Sequence, residues 1–130
     1  MTFNTELAER VLTRIKDKPE TWDQSAWAIT SDVCGTAYCF AGHALAELGY
    51  KMICDASAPD GQLYASDAVA PNGRQVSIEE MARKKLGLTW DQASQLFNGD
   101  NSLDDLEKMV KHYANTQDGS TMSWDEDDDE

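Results

Sequence analysis

The chain has 130 residues, of which 41% are apolar, and carries 24 Asp and Glu against 11 Lys and Arg for a formal net charge of -13. That length suits a single domain with a real core and no need of disulfide or metal staples. The carboxylate excess argues against nucleic acid or an anionic membrane as a direct partner and favours a basic protein surface.

Chain order begins with a helix from Thr5 to Lys18, where Leu7, Ala8, Val11, Leu12 and Ile15 recur at helical spacing and Pro19 marks the stop. The opening "MTFNTELAER" has no basic region ahead of an apolar run, and no window approaches a membrane span, so a cytoplasmic protein is expected. Three cysteines, an odd number, fit reduced thiols. In "PETWDQSAWAIT", Thr21 and Gln24 have capping-box spacing, Trp22 and Trp27 offer large anchors, and a short helix or helical turn is expected.

The segment "CGTAYCFAGH" predicts a central helix from Ala37 to Leu48 with Thr36 as N-cap. Ala37, Ala41, Ala44 and Leu48 would then line the core seam beside Phe40 and Leu45, and Gly35, Gly42, Ala46 and Gly49 would form a groove of small residues. Cys39, His43 and Glu47, each four apart, would make a polar stripe. Cys39 and His43 could face one metal ion, but the remaining candidates Cys34, Cys54 and His112 follow no paired ligand spacing. As a thiol nucleophile, Cys39 has a helix start and a nearby histidine, but no Cys-His-Asn set or nucleophile elbow accompanies it. The segment therefore reads as a packing motif of Cys34, Gly35, Thr36, Cys39, Gly42 and His43, with no catalytic residue, metal or cofactor.

Residues 50–76 hold two turn signals, Asp60-Gly61 and Asn72-Gly73, and predict an irregular excursion with a small hairpin of Lys51 to Cys54 and Arg74 to Val76. Ser77 and Glu80 open a helix that Gly87 stops, and Thr89 and Gln92 box the start of a helix from Trp90 to Phe97. Ser102 caps a last helix whose face is Leu103, Leu106, Val110 and Tyr113, with Asp104 and Asp105 at its positive end. From residue 116 the chain loses periodicity and closes on Trp124 and "DEDDDE", which reads as a disordered acidic tail.

"CGTAYCFAGHALAELG", with the tryptophan stretch before it and "ARKKLGLTWDQASQLF" after it, resembles a family of small proteins in bacteria and phages, notably phages of actinobacteria. The family's common pattern is C-G-T-x-x-C-x-A-G followed by Trp or His and Ala, matched here at Cys34, Gly35, Thr36, Cys39, Ala41, Gly42 and His43. The resemblance covers residues 20 to 113 and implies a phage or prophage origin, with no catalytic residues.

These readings predict a mainly α, compact single domain of five to six helices over residues 1–115, with a minor β-hairpin insertion and the tail 116–130 outside it. The expected function is a non-enzymatic protein-binding module, a phage accessory factor acting on a host protein with a basic surface. Its partner-binding candidates are Asp100, Asp104, Asp105, Glu107 and Trp124. The alternatives are a metal-binding or thiol-dependent protein using Cys34, Cys39, His43 and Cys54, and an acidic DNA mimic using the helix acids.

Overall fold

Asn4 starts α1, Thr5–Asp17, by accepting the Leu7 N–H, and its amide also donates to the carbonyl of Lys85 at 3.2 Å. The helix is thereby capped and attached to another at one residue. Leu7, Ala8, Val11 and Ile15 form its buried stripe, the spacing that the sequence announces. The computed structural model describes residues 3–24, 28–31, 35–53, 56–57, 63–117 and 120–121.

Five α-helices appear among the described residues, and the protein is a compact, mainly helical single domain with a minor β component. After α1 come a 3₁₀ turn, Pro19–Thr21, then strands β1, Ala28–Ser31, and β2, Gly35–Tyr38, and helix α2, Phe40–Glu47. Five short strands follow: β3, Lys51–Ile53, β4, Ala56–Ser57, β5, Leu63–Ala65, β6, Asp67–Val69, and β7, Gln75–Ser77. The chain closes with α3, Ile78–Leu86, α4, Trp90–Leu96, and α5, Leu103–Thr116.

Among the described residues the seven strands pair antiparallel, and an isolated parallel bridge joins Trp22 to Tyr38. One sheet has the order β2-β1-β5-β4 and the other β3-β6-β7. The hairpin expected between Lys51 to Cys54 and Arg74 to Val76 is corrected here: both stretches contribute strands, but β6 lies between them and pairs with each. The Asn72-Gly73 turn that joins β6 to β7 closes with Gly73 N–H on the Ala70 carbonyl, with Gly73 at φ +90°. Cys54 and the Asp60-Gly61 turn lie outside the described residues.

The predicted helix start at Ala37 is also corrected. Residues 35–38 are extended and pair with β1, Ala28 opposite Tyr38 and Ser31 opposite Gly35, so their main chain is committed to a ladder. Cys39 continues extended, at ψ -176°, and becomes the N-cap in place of Thr36. Thr and Tyr favour strands, and a paired strand outcompetes a helical first turn. The expected seam survives in Phe40, Ala41, Ala44 and Leu45, all fully buried, while Ala37 and Leu48 are half-buried. Helix α2 packs against both α1 and α3.

Thr21 and Gln24 form no capping box. The hydroxyl of Thr21 donates back to the Lys18 carbonyl at 2.7 Å, closing the 3₁₀ turn, and Gln24 turns inward. Later caps follow the sequence closely. Ser77 Oγ accepts the Glu80 N–H, Gly87 ends α3 in the left-handed region at φ +71°, and Thr89 and Gln92 make a reciprocal box. Ser102 makes a second reciprocal box with Asp105. Helix α5 runs through Thr116, and the Gln117 side chain accepts the Phe3 N–H at 3.0 Å. The chain ends of the described body thus meet. Within the tail, residues 118–119 and 122–130, Trp124 among them, lie outside the described residues.

Candidate functional site

His43, in the first turns of α2, is 1% exposed, and its ring faces α1 and the 3₁₀ turn. Nδ1 accepts from Arg14 Nε at 3.3 Å, and Nε2 lies 2.9 Å from the Thr21 carbonyl oxygen. A guanidinium can only donate and a carbonyl can only accept, so the proton sits on Nε2 and the imidazole is neutral. Thr21 Oγ1 adds a contact to Nε2 at 3.3 Å, and the Tyr38 ring packs edge-on at 5.0 Å. Burial lowers the histidine pKa to about 4; the Thr21 bond opposes that shift and the Arg14 charge reinforces it.

Glu47, one turn further along α2, accepts from Arg14 Nη1 at 3.1 Å and lies 3.5 Å from Arg10 Nε. Arg14 therefore bridges the histidine and the glutamate. The stripe of Cys39, His43 and Glu47 does exist, but its last two members are spent on α1. A cavity of about 290 Å³ opens beside them, lined by Arg14, Asp17, Lys18, Thr21 and His43.

Cys39 departs from this cluster into the core at 1% exposure. Burial pushes its thiol up to about 12, outweighing the main-chain N–H groups of Gly42 and Ala41 that favour the thiolate. At neutral pH the sulfur is a protonated packing atom with no nucleophilic priming. Both nitrogens of His43 are engaged as well, so this pair offers a metal little. Among the described residues no three His, Cys, Asp or Glu side chains are grouped to hold a metal ion. Cys34 and Cys54 lie outside those residues, as does the side chain of Thr36.

The acids proposed for partner binding divide by role. Asp100 is exposed, with its N–H donating to Asn98 Oδ1 at 2.8 Å. Asp104 pairs with Lys108 at 3.2 Å, Asp105 accepts the Ser102 N–H at 3.0 Å, and Glu107 forms an ion pair with Lys16 of α1. Three of the four thus have intramolecular partners.

Sequence reasoning missed Trp90. At 55% exposure it is the one large apolar side chain left open among the described residues. Arg83 lies over its ring at 4.2 Å and is fixed by a bond from Nη1 to the Leu88 carbonyl at 3.1 Å. Helical period puts Trp90 on the same side as Ala93 and Phe97, both of which are buried. Its place in the first turn decides otherwise: side chains tilt toward a helix N-terminus, so this one projects past the end of α4. Gln92, two residues on, is buried and donates to the Ser120 carbonyl at 3.0 Å, which brings the chain after α5 back to this end.

No helix among the described residues is long and apolar enough to cross a membrane. No family model, curated protein or solved structure matches the chain.

Proposed function

We propose that the protein is a non-enzymatic protein-binding module and that Trp90, held under Arg83, is the anchor it inserts into its partner. The observation that carries this reading is a large, half-exposed aromatic ring preorganised by a cation, the residue pair over-represented at interface hot spots. Net charge complements it: a chain at -13 is steered toward a basic surface, and Asp91 and Asp100 are exposed nearby in sequence. The resemblance at "CGTAYCFAGH" supports a phage-encoded accessory factor acting on a host protein in the bacterial cytoplasm. The cysteine and histidine chemistry gains no support, because Cys39 is a buried thiol and His43 is committed to Arg14 and Thr21.

Native mass spectrometry of the protein purified from a bacterial host tests the reading, with Trp90→Ala purified in parallel. The expected outcome is one host protein in stoichiometric complex with the wild type, lost at least about tenfold with Trp90→Ala at unchanged melting temperature. A complex indifferent to Trp90→Ala would move the interface elsewhere. A bound metal in the wild type would replace the reading with the ligand one.

A further inference from the structure

Among the described residues, strand β7 is the outer strand of its sheet, paired with β6 on one side only. Ala70 N–H bonds to the Arg74 carbonyl and Ile78 N–H to the Ser66 carbonyl, and the register places Val76 opposite Ala68. In an antiparallel ladder the residues between such pairs direct their main-chain groups away from the neighbour. The N–H and C=O of Gln75 and the N–H of Ser77 therefore face outward. Beside them runs a groove of about 230 Å³ between β7 and α3, lined by Arg74, Gln75, Val76, Ser77, Glu80, Met81 and Lys84. Its floor includes half-buried Val76 and Met81, and its cations are Arg74 and Lys84.

We propose that this groove is the docking site of the protein's own C-terminal segment, residues 122–130. Charge complementarity points to it. Arg83, Lys84 and Lys85 concentrate positive charge in the last turn of α3, in a chain with 24 acids, and Asp125 to Glu130 supply six consecutive carboxylates. Among the described residues the Lys84 ammonium pairs with Glu80 at 3.5 Å, an exposed pair of small worth. Tethering points the same way. The Ser120 carbonyl is held by Gln92 of α4, so the segment starts from a fixed point on the helix that follows α3. Its nine residues reach about 30 Å when extended, more than twice the length of the nine-residue α3. A tether this short gives an effective concentration on the order of millimolar, which fills a weak site. Trp124 can pack on Val76 and Met81 while a tail amide and carbonyl pair with Gln75 and the acids meet Arg74 and Lys84.

Hydrogen exchange on the full chain tests this, with the Gln75 amide as reporter and the Val76 amide, which faces β6, as internal control. The comparison is a full-length variant with Asp125 to Glu130 replaced by Asn and Gln. At low salt, Gln75 exchange should be slowed by about tenfold or more in the wild type relative to the variant, with Val76 equal in both. The difference should disappear near 1 M salt, where the Debye length is about 3 Å. Equal Gln75 exchange in the two proteins overturns the proposal. So does protection that rises with protein concentration, which would assign the groove to a second copy.

Discussion

His43 sets a sign for the acid response of the fold. Its pKa is about 4 when folded, against an ordinary 6.5, so between those values the unfolded chain binds the extra proton. Stability from this residue is complete above about pH 6.5, falls as the pH drops toward 4, and loses on the order of 3 kcal/mol across that window. Denaturant titrations at several pH values should show the fall, and His43→Gln should flatten the part that carboxylates do not explain. Glutamine can still accept from Arg14 and donate to Thr21 but takes up no proton. Gln24 has a comparable position without a charge. Its Oε1 accepts from Phe40 N–H at 3.1 Å and Trp22 Nε1 at 2.9 Å, while Nε2 donates to the carbonyls of Leu96 and Asn98, each at 3.1 Å. Gln24→Leu matches its bulk and strands all of these partners, so equilibrium unfolding should show a loss of about 2–4 kcal/mol. A loss below about 1 kcal/mol would mean that water replaces the amide.

At the scale of the elements, the helix starts carry their own instructions. Thr89 with Gln92 and Ser102 with Asp105 each satisfy main-chain donors reciprocally, as their local spacing announces. Thr89→Ala and Ser102→Ala should each cost about 1 kcal/mol, and together about 2, by denaturant midpoint. Local signals also made α1 and the end of α3 at Gly87 readable from sequence. The start of α2 was not readable for the opposite reason. Whether 35–38 is helix or strand is settled by β1, and β1 is in turn settled by β5 from more than thirty residues away. The N-terminal donor of α2 finds its acceptor in Gln24, which no capping pattern near Phe40 reveals. The His43 cluster divides in the same way. Its polar stripe was visible on α2, but Arg14 and Thr21, which fix its protonation, come from 29 and 22 residues earlier.

Across the whole molecule, α1 is the shared surface: it contacts α2, α3 and α5. Asn4 bonds to the end of α3, Lys16 to Glu107 of α5, and Phe3 both to Gln117 and, edge-on at 5.6 Å, to Tyr113. Tyr113 is the largest fully buried side chain among the described residues, so removing α5 takes a packing partner from the first helix and a large ring from the core. A chain ending at Asn101 should retain some helical far-ultraviolet signal, lose near-ultraviolet aromatic ellipticity and unfold without a cooperative transition. Cooperative unfolding of that fragment would show that α1 through α4 suffice.

The joining of Phe3 to Gln117 also has a meaning in time. A ribosome delivers α1 well before α5, so the first helix can meet α2 and α3 early, while its contacts with α5 and the Phe3–Gln117 bond must wait for the last helix. Closure of the described body is therefore a late event in synthesis, set by the arrival of α5.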